Sequence, residues 1–183
     1  YASGDNSAST DGNITVNLSG LGKGFGKPIY GGGYGEGSTV TGNIVINAQN
    51  IDMTNNNAGI YGGGYKGTVT GNVQINVSSS KLSKTIYGGG DSAIGDVDIT
   101  LSGGTQDLYP KIYATGEGTS KDDAQIGGDA RISLIGSRAE VYTLGKYGAV
   151  AEGKSVTVTL DDMEGLNGAV RGDSGKKQYL YNY

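Results

Sequence analysis

The stretch Ile29-Tyr30-Gly31-Gly32-Gly33 decides the fold, because it returns along the chain at nearly regular intervals. It recurs unchanged at 60–64 and 86–90, and in altered form at 112–116 and 141–145. Successive copies begin 31, 26, 26 and 29 residues apart, a period typical of solenoid repeats. The chain is therefore a repeat array, and its fold should be a stack of similar units.

A second motif follows each copy, and Gly42-Asn43-Ile44-Val45-Ile46 is one example of it. Its apolar residues fall at alternate positions, which is the pattern of a β-strand with one buried face. Six copies agree, and no helical periodicity is present. If each unit is one coil, the inward residues form two rows, namely Ile14, Ile44, Val73, Val97, Ala130, Val156 and Val16, Ile46, Ile75, Ile99, Ile132, Val158.

The period favours parallel stacking over hairpins, because a strand that recurs every 26–31 residues cannot form a tight hairpin with its next copy. The sequence therefore predicts an all-β, single-stranded parallel β-solenoid of about six coils over residues 1–168, with 169–183 as a divergent last coil or cap. The tyrosine-rich tail, 178–183, reads as a strand. A β-sandwich of irregular hairpins is the rival, but it would not explain the preserved period. The start, Tyr1-Ala2-Ser3-Gly4, reads like a repeat motif that lacks its first Ile, so we expect a longer protein upstream.

Each copy of the Ile-Tyr-Gly-Gly-Gly motif begins with an Ile or a Val. If this first residue points inward, the residue after it should point outward. This position is occupied by Tyr1, Tyr30, Tyr61, Tyr87, Tyr113 and Tyr142. A second outward row lies four residues further on, at Tyr34, Tyr65, Asp91, Glu117 and Lys146. The last glycine of the motif, at 4, 33, 64, 90, 116 and 145, indicates a corner that needs positive φ or a close backbone approach. The third side of the coil has the apolar anchors Leu21, Phe25, Ile51, Met53, Leu82, Leu108, Met163 and Leu166.

Composition excludes several classes of function. Glycine supplies 36 of 183 residues, about three times its usual share, without the three-residue period of collagen. The 14 basic and 18 acidic residues form no charged run, so we expect no nucleic-acid partner. The chain has no cysteine or histidine, and no apolar stretch approaches the ~20 residues of a membrane span. We therefore expect no metal, no cofactor and no membrane span in this part of the protein.

The repeats resemble a known class of protein. The motif Ile-Tyr-Gly-Gly-Gly followed by Gly-Asn-Val-x-Ile-x-Val is similar to the β-helical repeats of large bacterial cell-surface adhesins and autotransporter-like passenger regions. The resemblance covers about residues 1–168 and implies a right-handed β-helix. It also implies an extracellular fragment on the bacterial cell surface, acting as an adhesin or stalk segment, with a host glycan or surface protein as its partner. Pectate-lyase-like enzymes share this architecture, so a carbohydrate-active enzyme is the alternative.

Few residues offer catalytic chemistry. The adjacent acids Asp122-Asp123 and Asp161-Asp162, and the bases Arg131 and Arg138, are interpreted as ordinary surface charges. Arg171-Gly172-Asp173 is an integrin-type tripeptide of a kind that often arises by chance. Ice binding needs regular threonine rows, whereas the outward row of the long strand reads Thr15, Val45, Gln74, Asp98, Arg131, Thr157.

The best candidate for ligand binding is the aromatic ladder of Tyr30, Tyr61, Tyr87, Tyr113 and Tyr142. Its rings could anchor a partner or could stabilise the coils by stacking on one another, and the two roles are compatible. We therefore expect a non-enzymatic binding surface or spacer.

Overall fold

The structure is a computed structural model that describes residues 1–4, 7–55, 59–90, 94–104, 109–116, 125–145 and 147–162, and the backbone of 169–171 and 179–182. These residues form strands and turns, without a helix. All the strands named below pair in parallel. The chain is thus a parallel β-solenoid of about five turns, close to the six coils predicted. The right-handed sense stays a prediction.

The largest sheet, called the long sheet, contains one strand from each coil. Its strands, in spatial order, are Ile14–Ser19, Ile44–Gln49, Val73–Ser78, Val97–Ser102, Ala130–Ile135, Val156–Asp161 and Tyr179–Asn182. Their registers place each inward residue on its equivalent in the next coil, as Ile44 on Val73 and Ile46 on Ile75. Both predicted inward rows are therefore confirmed. The tail forms the strand that the sequence predicts, and it continues this sheet.

A second sheet, called the tyrosine sheet, contains the repeated Ile-Tyr motif. Its strands are Ile29–Tyr30, Ile60–Tyr61, Ile86–Tyr87, Lys111–Tyr113, Glu140–Tyr142 and Ala169–Arg171. Three smaller sheets complete the coils, with strands Ser9–Thr10, Thr39–Val40 and Thr68–Val69, then Asp52–Met53 and Lys81–Leu82, then Gln125–Ile126 and Ala149–Val150.

The core is a narrow apolar column inside the coils. Ile46, Ile75 and Ile132 are fully enclosed, with 0 % of their surface exposed. The predicted third-side anchors Met53 and Leu82 are buried opposite each other. Leu21, Phe25 and Ile51 also pack against or within the core, whereas Leu108, Met163 and Leu166 lie outside the described residues. Val40 and Val69 are an additional buried pair that the sequence analysis did not assign.

Close backbone approach and positive φ occur at two different positions of the coil. The last glycine of the tyrosine motif has the first of these roles, one of the two predicted for it, since a Cβ on Gly64 or Gly90 would collide with the carbonyl oxygen of the preceding coil. Positive φ occurs at the residue that follows each of the first six strands of the long sheet. That position is Gly20, Asn50, Ser79, Gly103, Gly136 and Asp162, with φ of 65, 51, 49, 58, 55 and 51°. Glycine, asparagine and aspartate tolerate this conformation best, so the choice of residue follows the backbone.

The residue pair before the long strand, Gly-Asn in the first three coils, joins one coil to the next. The side-chain oxygen of Asn43 accepts a hydrogen bond from the backbone N–H of Asn72 at 2.9 Å. The same bond recurs at every step of the row Asn13, Asn43, Asn72, Asp96, Asp129, Ser155. Gly42 comes directly before Asn43, and Gly71 directly before Asn72. A Cβ on either glycine would collide with the backbone of the preceding coil. The motif thus combines a close approach with a side-chain acceptor.

Replacement of Ile46 by Asp should unfold the fragment or lower its free energy of unfolding by more than about 4 kcal/mol, because an unpaired carboxylate would enter the apolar column. The neighbouring change Val45→Asp is the matched control, since Val45 lies on the outer face between Thr15 and Gln74. We expect it to cost about 1 kcal/mol or less. Urea denaturation compares the two, and equal losses would contradict the assigned register.

Replacement of Gly20 by Ala should lower the free energy of unfolding by about 1 kcal/mol, because alanine is strained at a φ of 65°. Gly22→Ala is the control. A Cβ at either position meets nothing within 4 Å, but only Gly20 has positive φ. Thermal denaturation measures both variants. A larger loss in Gly22→Ala than in Gly20→Ala would show that the corner is misplaced.

Asp129 should make stability depend on pH. The backbone N–H of Ser155 donates to its carboxylate at 2.9 Å and lowers the pKa of Asp129, helped by the Ser155 hydroxyl and by Lys154 and opposed by desolvation. Because this pKa is lowered, the contribution of Asp129 to the free energy of unfolding is complete when the pH is above the ordinary pKa of about 4. The contribution is lost as the pH falls through the pKa of the folded state.

Asp129→Asn keeps an acceptor but removes the charge, so the variant should lose less stability than the parent chain between about pH 5 and about pH 2. Asp161→Asn removes the same charge from an exposed position and serves as the control. Urea denaturation across this range is the measurement. Identical pH profiles for Asp129→Asn and the parent chain would exclude this carboxylate as a contributor.

Candidate functional site

The tyrosine sheet carries one continuous stack of rings on its outer side. Alternation along each short strand turns the isoleucine or valine into the core and the tyrosine outward, and the parallel register places each tyrosine on the next. The ring centroids of Tyr1, Tyr30, Tyr61, Tyr87, Tyr113 and Tyr142 are successively 4.8, 4.5, 4.9, 5.1 and 4.6 Å apart. Adjacent ring planes differ by 12–19°. The structure therefore brings together all five candidate residues and Tyr1.

The stack is less open than an exposed stripe would be. Tyr87 is buried, with 8 % of its surface exposed, and Tyr30, Tyr61, Tyr113 and Tyr142 are half-buried. Each central ring has neighbours on both faces, and these neighbours cover the area on which a sugar ring would stack. A partner of the central coils therefore meets ring edges and hydroxyl groups. Tyr87 keeps the register of its row but is buried, so the stripe is not exposed evenly along its length.

A second, shorter column of tyrosines stands beside the first. Tyr34 and Tyr65 have ring centroids 5.2 Å apart and planes 12° apart. They meet the main stack edge-on, since Tyr34 lies 4.8 Å from Tyr1 at 63°, and Tyr65 lies 5.9 Å from Tyr30 at 73°. The two columns form a herringbone surface. The later members of this sequence row, at 91, 117 and 146, lie outside the described residues.

Backbone hydrogen bonds fix the position of the short column. The N–H of Tyr65 donates to the carbonyl of Gly33 at 3.0 Å, and the N–H of Gly35 donates to the carbonyl of Tyr65 at 2.9 Å. Tyr34 and Lys66 also form an isolated antiparallel bridge, which interrupts the parallel stacking at this corner. The short column is therefore held by the chain itself before any ligand arrives.

An open depression of about 400 Å³ lies against the short column. Its lining consists of Ser7, Tyr34, Gly35, Glu36, Gly37, Tyr65 and Lys66. Glu36 and Lys66 lie 4.0 Å apart, and their side chains are 87 % and 50 % exposed, so their attraction adds little stability. A volume of this size lies within the range of small-ligand sites. Sequence reasoning placed Tyr34 and Tyr65 in one row but did not identify this depression.

The described acids outside this depression either have partners within the fold or lie exposed at the surface. Asp52 accepts a hydrogen bond from the Thr54 hydroxyl at 2.7 Å, which is the main cause of its lowered pKa. Asp98 forms an exposed pair with Arg131 at 3.5 Å. Asp161 and Asp162 are exposed at the end of a long strand. No group of three acidic side chains within the described residues is arranged to hold a metal ion.

The remaining sequence candidates do not form a common site within the described residues. The guanidinium of Arg138 lies over the ring of Tyr109 at 5.7 Å and donates to its hydroxyl at 3.2 Å. Arg171 ends a strand, whereas Gly172, Asp173, Asp122 and Asp123 lie outside the described residues.

The outer face of the long sheet is polar and irregular. Its first outward row has the mixed composition read from the sequence, with Asp98 between Gln74 and Arg131. The next row begins with an amide ladder in which Asn47 donates to Asn17 at 2.9 Å and Asn76 donates to Asn47 at 2.8 Å. These amides bond along the coil axis, which stabilises parallel in-register strands. The face lacks the regular threonine rows that ice binding requires.

The chain was compared with protein-family models, with curated proteins and with solved structures. The chain matches no protein-family model, and no curated protein or solved structure matches it significantly. In the part of the chain that the structure describes, no helix has the length and apolar character needed to cross a membrane.

Proposed function

We propose that this chain is a non-enzymatic segment of a bacterial cell-surface adhesin or stalk that binds a host glycan or a host surface protein. The observation that carries the proposal is the tyrosine stack along one side of a rigid solenoid. An extended scaffold with a continuous aromatic surface suits attachment to an extended partner, because aromatic side chains concentrate binding energy at interfaces.

The roles of the acidic residues support a binding function over a catalytic one. Hydrolysis of a glycosidic bond requires two carboxyl groups that face each other across a groove. Asp96 and Asp129 instead accept backbone N–H groups of the following coil, and Asp98 is paired with Arg131. These carboxylates already have structural partners, and the open depression is lined by one acid, Glu36.

The proposal is tested by screening the intact chain against immobilised host-type glycans and surface proteins, followed by changes in the tyrosine stack. Tyr61→Phe combined with Tyr113→Phe keeps every ring contact and removes two hydroxyl groups. Since partners of the central coils meet ring edges and hydroxyls, we expect binding at least roughly tenfold weaker. Stability should change by about 1 kcal/mol per hydroxyl or less.

Tyr61→Ala combined with Tyr87→Ala tests the structural role of the same rings. This variant loses three stacking contacts and the burial of Tyr87, so we expect a stability loss of at least about 2 kcal/mol. Tyr109→Ala, at an exposed tyrosine outside the stack, is the control for both experiments. A chain that binds no member of the screen, or that cleaves a glycan, would contradict the proposed function.

A further inference from the structure

From the depression beside Tyr34 and Tyr65 we infer a binding site for a neutral, β-1,4-linked pyranoside chain that runs along the coil axis. The inference rests on the proposed function and names one ligand class and one place for it. The site lies on a different row from the main tyrosine stack, and the first coils supply all of its residues.

The aromatic part of the site differs from the central part of the main stack in exposure and not in spacing. The ring centroids of Tyr34 and Tyr65 are 5.2 Å apart, close to the 4.5–5.1 Å of the main stack. Tyr34 is 37 % exposed, whereas the rings of the central coils are half-buried or buried. Pyranosides with equatorial substituents have flat C–H faces, which pack on such rings.

The spacing of the two rings fits a particular glycosidic linkage. The rings repeat at 5.2 Å because consecutive coils repeat at the interstrand distance of about 4.8 Å. One pyranose unit advances an extended β-1,4-linked chain by a similar length, so two neighbouring units can each lie against one ring. An α-1,4-linked chain curves away from a straight column and cannot keep this register.

The polar groups of the site favour a neutral chain. Glu36 provides an acceptor for sugar hydroxyl or amide N–H groups, and Lys66 provides a donor, at the same edge of the depression. Their opposite charges balance, so a polyanion would meet a carboxylate as well as an ammonium group. The site therefore differs from a basic cleft that binds uronic acid or sulfated chains.

Backbone conformation is a further observation at this site. Two non-glycine residues that line the depression, Ser7 and Lys66, have φ of 68 and 58°. Non-glycine residues in the left-handed region recur at functional sites. At Lys66 a glycine would relieve the strain, so the lysine side chain is present at a conformational cost.

The test measures binding of β-1,4-linked glucose and N-acetylglucosamine tetrasaccharides to the intact chain by calorimetry. The α-1,4-linked glucose tetrasaccharide has the composition of the first probe and is the ligand control. We expect binding of at least one β-1,4-linked probe and at least roughly tenfold weaker binding of the α-linked one. Tyr34→Ala combined with Tyr65→Ala should weaken the β-linked probe at least roughly tenfold.

Two further variants keep the test independent of folding. Lys66→Gly and Glu36→Gln change exposed side chains, and glycine relaxes the positive φ, so both variants should retain the parent melting temperature. Each should weaken binding several-fold. Tyr109→Ala should leave the affinity unchanged, because Tyr109 is exposed but does not line the depression.

The outcomes separate this inference from the proposed function. Any of three results would overturn the inferred site. They are parent affinity in all three site variants, equal binding of α- and β-linked probes, and no binding of a β-1,4-linked probe. If a different glycan or a protein from the screen still binds and depends on the Tyr61 and Tyr113 hydroxyls, the proposed function stands without this site. If the chain binds neither the probes nor any screened partner, both proposals fail.

Discussion

In-register parallel pairing between successive coils is the interaction on which the rest of this structure depends. Because each residue lies on its equivalent one coil away, every property of one position is repeated along the axis. Ile46 lies on Ile75 and so extends an apolar column, and Tyr61 lies on Tyr87 and so extends a ring stack. A single favourable choice of residue is therefore multiplied, and a single register error would move every apolar side chain to the solvent face.

The polar residues at the coil corners solve a problem that this pairing creates. Equivalent charges stacked at the interstrand distance of about 4.8 Å would repel one another, so a solenoid needs polar rows that attract. The side-chain oxygen of Asn43 accepts the backbone N–H of Asn72, and this uncharged acceptor can be repeated from coil to coil. Aspartate takes over at Asp96 and Asp129, whose carboxylates accept a backbone N–H of the next coil. The Gly-Asn pair thus specifies the register together with the apolar rows.

The sequence predicted the features that strict alternation or an unvarying motif marks, and it missed several that neither signal marks. Strict alternation identified Ile46 as inward, and the recurring Ile-Tyr pair identified the tyrosine stack. The left-handed corner escaped because glycine, asparagine, serine and aspartate share the position after the long strand, although most of these types favour positive φ. The pair Val40 and Val69 escaped because a two-residue strand has no visible period. The depression escaped because its lining residues come from different coils and only the folded chain brings them together.

Breaks in the repeat, more than the repeat itself, give such a surface the means to select a ligand. A uniform stack offers the same contacts at every coil, so a ligand can slide along it by one coil at no cost in contacts. The short column has two tyrosines followed in the sequence by an acidic residue, and Glu36 and Lys66 lie at its edge. A chain that contacts both rings and both charged groups has one register. The regular rows therefore supply rigidity, and the irregular corner of the first coils supplies specificity.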